Sequence, residues 1–250
     1  MARISERTWI FVSHSSEDLE AVRQVRNYLE AKDASPLLFH LLSLKHEEEF
    51  WPIIERKILE RDFFLLCDSE GATRSEWVQR ERAAVERAAA QKPKRRWNIR
   101  VDGPDLDLAS LDAFISSTRV FPSFTHRDRD QVWPYLAALQ SRGFEVFNEL
   151  EELKPATDFA SEIMKAMADA AARGFILFFI TSNSLKSRWV EQEIDYAIKH
   201  RARLVPVLID RSVNTAAVPP TLQAYRIFDA TISPHSAPDE LASLLHRASF

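Results

Sequence analysis

Three observations predict an α/β protein built as two tandem flavodoxin-like domains. Each would be a mainly five-stranded parallel sheet with helices on both faces. The first observation is an internal repeat. Phe11-Val12-Ser13-His14-Ser15-Ser16-Glu17-Asp18 aligns with Phe121-Pro122-Ser123-Phe124-Thr125-His126-Arg127-Asp128, with Phe, Ser and Asp recurring at an offset of 110. Ser75-Glu76-Trp77-Val78-Gln79-Arg80-Glu81 then aligns with Ser187-Arg188-Trp189-Val190-Glu191-Gln192-Glu193, at an offset of 112. Two motifs in one order and at nearly one spacing define a period the size of a domain, far longer than a solenoid repeat. The second observation is the unbroken apolar run Phe175-Ile176-Leu177-Phe178-Phe179-Ile180, which suits a parallel strand covered on both faces. The third is the alternation of short strand-like runs with helical stretches of ten or more residues, the signature of a doubly wound sheet. The expected domains are residues 1–117 and 118–250.

The second copy reads clearly. Arg119–Ser123 is a short strand, and Arg129–Ser141 a helix stopped before Gly143, a usual C-terminal residue. Phe144–Phe147 is the next strand. Ala156–Ala172 is helical, with Phe159, Ile163, Met164 and Met167 on one face. The apolar strand follows, then a helix over Ser187–Lys199, strands over Leu204–Ile209 and Arg226–Phe228, and a closing helix over Asp239–Ala248. The first copy runs in the same order through Trp9–Val12, Leu19–Ala31, Leu37–Leu42, Glu47–Leu59, Phe63–Cys67 and Glu76–Ala90. Its end is shorter. Trp97–Val101 is a poor match to the fourth strand, and Pro104–Thr118 has room for one short strand, Ala113–Ile115, but not for a closing helix as well. The first copy is therefore expected to be degenerate and the second complete.

Composition removes several function classes. Lys and Arg number 33 against 37 Asp and Glu, a net charge of −4, which argues against a nucleic-acid binder working by bulk charge. The one basic run, Lys92-Pro93-Lys94-Arg95-Arg96, lacks interleaved aromatics and reads as a solvated loop after a helix. A single cysteine, Cys67, excludes an intrachain disulfide and multi-cysteine zinc sites; at the end of an apolar strand it reads as an inert thiol. Only 4 glycines occur, and no two are spaced as a dinucleotide fingerprint or a phosphate loop. No HExxH, GxSxG or paired-His metal spacing is present. No apolar run approaches the ~20 residues of a membrane span, and the first residues lack a signal-peptide core. The expectation is a cytoplasmic protein without metal or bound cofactor.

In an open parallel sheet a ligand sits beyond the carboxyl ends of the strands, where strand order reverses. That rule selects the loops after Ser13 and Cys67 in the first copy, and after Ser123 and Ile180 in the second. The repeated motifs bracket those places. Ser187 is placed to cap its helix, and Trp189 and Glu193, at i and i+4, share a face. The indole would pack against the sheet and hold the carboxylate at the crevice; Trp77 and Glu81 repeat the pattern. Ser15 to Asp18 and Thr125 to Asp128 carry a helix-start signature. His14 and His126 follow the first strands, where lone histidines are usually surface residues.

Each copy resembles a Toll/interleukin-1 receptor (TIR) domain of bacterial type. Carrying the resemblance are Phe11-Val12-Ser13-His14 and Phe121-Pro122-Ser123-Phe124, then Asp18 and Asp128. Gly143-Phe144-Glu145-Val146-Phe147-Asn148-Glu149, Phe178–Ser184, Ser187-x-Trp189-Val190-x-x-Glu193 and Leu204–Leu208 complete it. It spans nearly all of the second copy; in the first it rests on the first strand and the Ser75-x-Trp77-Val78-x-x-Glu81 helix. Many TIR domains cleave NAD+ at the nicotinamide–ribose bond with the glutamate after the Ser-x-Trp signature. By that match Glu193 and Glu81 are the catalytic carboxylates. Ser123, Thr125, His126, Glu149, Lys154 and Trp189 would bind the nucleotide in the second copy, and Ser13 and His14 in the first. NAD+ would be a substrate, releasing ADP-ribose or a cyclic form, in bacterial immune or stress signalling. One departure is Leu153-Lys154-Pro155-Ala156, where family members usually carry glycine; Ala156 does not reach φ > 0 cheaply.

The resemblance also implies TIR–TIR pairing within the chain and self-association. The competing readings are a non-catalytic TIR scaffold and, further off, a nucleotide binder or receiver of flavodoxin type. A receiver ends its third strand with Asp, where this chain has Thr181.

Overall fold

The computed structural model describes residues 8–39, 47–147, 167–168, 170 and 174–248. One compact unit runs to Ile115 and also takes in Leu245–Ser249, and the other runs from Ser116 to Leu244. The expected helix Ala156–Ala172 lies largely outside the described residues, as do Glu149, Lys154 and residues 40–42 of the expected second strand. Among the described residues no helix is long and apolar enough to cross a membrane.

In the first unit the elements are β1 (Trp9–Ser13), α1 (Leu19–Ala31), β2 (Ser35–Leu37), α2 (Glu47–Glu60), β3 (Phe63–Asp68), α3 (Glu70–Arg74), α4 (Glu76–Gln91), β4 (Arg95–Arg100) and α5 (Leu108–Ser116). Its sheet is parallel, in the order β2-β1-β3-β4. Among the described residues it holds four strands, where five were expected. On one face Phe11, Phe64 and Leu66 pack with Ile54 and Ile58 of α2 and Val78, Ala84 and Val85 of α4. On the other, Phe114 of α5 meets Phe63 edge-on at 6.3 Å and Trp97 at 5.9 Å.

The expectation of a strand at Ala113–Ile115 and no helix there is corrected by α5. Leu108, Leu111, Phe114 and Ile115 recur at helical spacing, and the Asp107 carboxylate caps the start by accepting from Ser110 N–H at 2.9 Å. The basic run is also not a solvated loop. Lys94 and Arg95 are buried, and Lys94 donates to the carbonyls of Leu59 and Arg61, the former at 3.0 Å. The run thus launches β4, and the second strand begins two residues earlier than Leu37.

In the second unit the elements are β5 (Arg119–Ser123), α6 (Arg129–Ser141), β6 (Glu145–Val146), β7 (Phe175–Ile180), α7 (Arg188–Lys199), β8 (Leu204–Leu208), α8 (Pro220–Gln223) and β9 (Phe228–Asp229), followed by α9 (Ala237–Arg247). The parallel order β6-β5-β7-β8-β9 is the flavodoxin-like arrangement expected. All six residues of β7 are buried, as a central parallel strand requires. Gly143 follows α6 at φ 79°, a left-handed position that a side chain resists.

Candidate functional site

β1 and β5 end in Ser13 and Ser123, both buried. The helices that follow β3 and β7 begin beside them. Ser75 Oγ accepts from Val78 N–H at 3.3 Å to open α4, and Ser187 Oγ accepts from Val190 N–H at 3.4 Å to open α7. These caps set the first turns of both helices, and the i, i+4 spacing then places Trp and Glu together. Ser13 Oγ donates to Glu81 Oε2 at 2.5 Å, and Ser123 Oγ donates to Glu193 Oε2 at 2.5 Å. Neither glutamate is a solvated surface residue: Glu81 is 3% exposed and Glu193 4%. Each sits at the carboxyl end of the first strand of its sheet, where the crevice rule places a ligand.

The two copies differ in what the tryptophan does. Trp189 Nε1 donates to Glu193 Oε1 at 2.9 Å, so a separate donor addresses each oxygen of that carboxyl. The indole is 41% exposed, more open to solvent than the sheet-packed position expected of it.

In the first copy the indole belongs to the core side. Trp77 packs edge-on against Trp51 of α2 at 5.5 Å, and the Arg80 guanidinium lies 4.4 Å over Trp51 and 5.3 Å over Trp77. Its Nε1 is buried near the Glu81 carboxyl. Burial pushes the Glu81 carboxyl up to about 7, against the Ser13 hydroxyl and the nearby Trp77 indole, which pull it down.

A second buried carboxylate organises the crevice of the second unit. Asp128, 1% exposed, accepts from Thr125 Oγ1 and Thr181 Oγ1, both at 2.6 Å, and from Asn183 Nδ2 at 2.6 Å. It clamps the loop after β5 to the loop after β7. In the first unit Asp18 repeats one of these links, accepting from Ser69 Oγ at 2.5 Å. At the far side Asp210 accepts from the N–H groups of Ser182 and Ser212, which hold its carboxyl down to about 2.

The structure therefore brings together Ser123, Trp189 and Glu193 in one unit, and Ser13 and Glu81 in the other. Thr125 is tied to Asp128. His126 is exposed at the start of a short 3-10 turn, whereas His14 is buried with Nδ1 3.4 Å from Val12 O, not on the surface as expected. Sequence reasoning treated Asp128 as a helix-start residue and missed its clamp. Its recurrence with Asp18 was the available signal. Cys67 is buried, and burial raises its thiol to about 12. Among the described residues no group of three His, Cys, Asp or Glu gathers as a metal site.

A family model described as the TIR domain matches this chain twice, at residues 10–117 and 120–245. No curated protein matches the chain. Among solved structures it is similar to the TIR domain of the Toll-related receptor TRR-2 from Hydra magnipapillata. That likeness has 19% identity and a TM-score of 0.41, and it covers 50% of this chain and 93% of the other.

Proposed function

Because this chain belongs to the TIR domain family in both of its halves, we propose that it is an NAD+-cleaving TIR protein whose chemistry resides in the second unit. Glu193 is the catalytic carboxylate. The observation that carries this reading is the Ser123–Glu193–Trp189 arrangement, in which two donors orient one carboxyl at the carboxyl ends of β5 and β7. Cleavage breaks the bond between the ribose anomeric carbon and the nicotinamide nitrogen. The electron pair leaves with nicotinamide, which becomes neutral, and an oxocarbenium-like sugar forms. A fixed carboxylate holds the ribose hydroxyls and stabilises that positive charge. Water then adds to the anomeric carbon and loses a proton, giving ADP-ribose; an adenine nitrogen attacking instead gives a cyclic product. Ser123 and Trp189 act as positioning residues, and Asp128 keeps the two crevice loops in register.

The first unit is assigned a supporting role. Its Glu81 carboxyl, at about 7, is neutral in much of the population near neutral pH, and its indole is committed to Trp51 and Arg80. A neutral carboxylic acid offers little to a developing cation. In a TIR protein such NAD+ consumption fits an immune or stress response in the cytoplasm.

One observation favours the scaffold reading: both glutamates are nearly fully buried, and an interaction module would use them only to brace a helix against a strand. Nicotinamide release by the purified full chain separates the two. The catalytic reading expects release from the wild type and a loss of about 100-fold or more in Glu193→Gln with the fold intact. No release from concentrated wild type, or undiminished release from Glu193→Gln, contradicts it.

A further inference from the structure

The two units finish their sheets differently, and the difference exposes a strand edge. In the second unit β9 pairs with the outer side of β8, with Ala230 N–H donating to Leu208 O at 2.9 Å. Val218 and Leu222 join the core beside it, against Ile194, Leu204 and Leu208. In the first unit no described strand pairs with the outer side of β4. Arg95 N–H donates to Asp62 O and Val101 N–H to Asp68 O, so the odd-numbered residues of β4 turn toward β3. Parallel pairing then turns the N–H and C=O groups of Arg96, Asn98 and Arg100 outward.

Pairing register makes Arg96, Asn98 and Arg100 the equivalents of Leu204, Pro206 and Leu208. On the neighbouring helix the repeat offset makes Arg82 and Glu86 the equivalents of Ile194 and Ile198. Where the second unit carries apolar residues that seat its own chain, the first carries mostly cationic and polar ones. They border a groove of about 430 Å³ over Phe64, Leu66 and Val85. Arg82 and Arg96 are exposed, and among the described residues no acid pairs with either. Arg100 is paired with Asp102, and Glu86 is the one acid among the residues lining the groove.

We propose that the outer edge of β4 is a docking site for an extended acidic segment of a partner protein, which adds to the first sheet as a fifth parallel strand. Main-chain hydrogen bonds to Arg96, Asn98 and Arg100 supply the pairing, and Arg82 and Arg96 select acidic side chains. A second copy's β4 is a poor occupant, since it sets arginine against arginine, a common means of blocking edge-to-edge pairing. A lid like α8 is equally disfavoured, because the apolar seat it needs has been replaced.

The test uses the full chain and a synthetic peptide of alternating Asp and Val, with its Lys–Val counterpart. The proposal expects saturable binding of the acidic peptide that shifts the amide resonances of Arg96, Asn98 and Arg100. It also expects the Lys–Val peptide to bind at least about tenfold more weakly. Asn98→Pro removes one outward N–H and should weaken binding by about tenfold; Pro206 at the equivalent place shows that such a strand accommodates proline. Arg96→Glu leaves the backbone donors in place and should reverse the preference between the peptides. No saturable binding of the acidic peptide overturns the proposal. Binding that Asn98→Pro leaves unchanged in a folded variant also overturns it, because the contact is then charge alone.

Discussion

Glu81→Gln tests whether the first copy's carboxyl is held in the state that the structure implies. In the folded chain its pKa is about 7 against an ordinary 4.5, a gap of about 2.5. The raised value means the folded state binds a proton that the unfolded state has released. Stability from this group is therefore fully present below about pH 4.5, and it is lost as pH rises through 7. At about 1.4 kcal/mol per unit, the loss amounts to about 3 kcal/mol by pH 8. Glutamine keeps the shape and still accepts from Ser13 Oγ, but it does not titrate. The variant should match the wild type within about 1 kcal/mol near pH 4.5. It should exceed the wild type in stability by about 2–3 kcal/mol at pH 8. Amide hydrogen exchange of β1 and β3, compared between variant and wild type at matched pH, reads the first unit directly. A difference that stays flat from pH 4.5 to 8, or that grows toward acid, would show that the Glu81 carboxyl is not raised by burial.

Other expectations follow from the same geometry. Asp128→Ala leaves Thr125, Thr181 and Asn183 without their shared acceptor, and it should cost about 2–4 kcal/mol in urea unfolding of the second unit. Gly174→Ala places a Cβ 2.6 Å from Arg119 O and 3.0 Å from Ser116 O, both backbone atoms, so a loss of about 1–3 kcal/mol should appear as a lower thermal midpoint. Cys67 should resist alkylation in the native chain at pH 8 and react once urea exposes it, as mass spectrometry would read.

The second unit was largely legible in the sequence because its strands are apolar runs and its helices are punctuated. β5, α6 and β7 lie where their patterns place them, and α6 stops before a glycine in the left-handed region. The placing of Trp189 and Glu193 on one helix face followed from the cap and the i+4 spacing. What stayed hidden was contact between distant segments. Nothing local shows that Ser123 reaches across 70 positions to Glu193, or that Asp128 serves two loops instead of one helix start. The end of the first unit misled for a different reason. Ala113–Ile115 is an apolar run short enough to pass for a strand, and only the wider spacing from Leu108 with the Asp107 cap reveals a helix. The buried Lys94 is a similar case, since its charge hides a role in satisfying the carbonyls of Leu59 and Arg61.

The assignment of chemistry to the second copy is tested most directly by nicotinamide release from the full chain, from Glu193→Gln and from Glu81→Gln, measured side by side. Glu193→Gln should abolish release and Glu81→Gln should retain most of it, because Trp189 donates to Glu193 whereas the Trp77 indole packs against Trp51 and Arg80. Loss with Glu81→Gln, and activity preserved in Glu193→Gln, would contradict it and place the chemistry in the first copy.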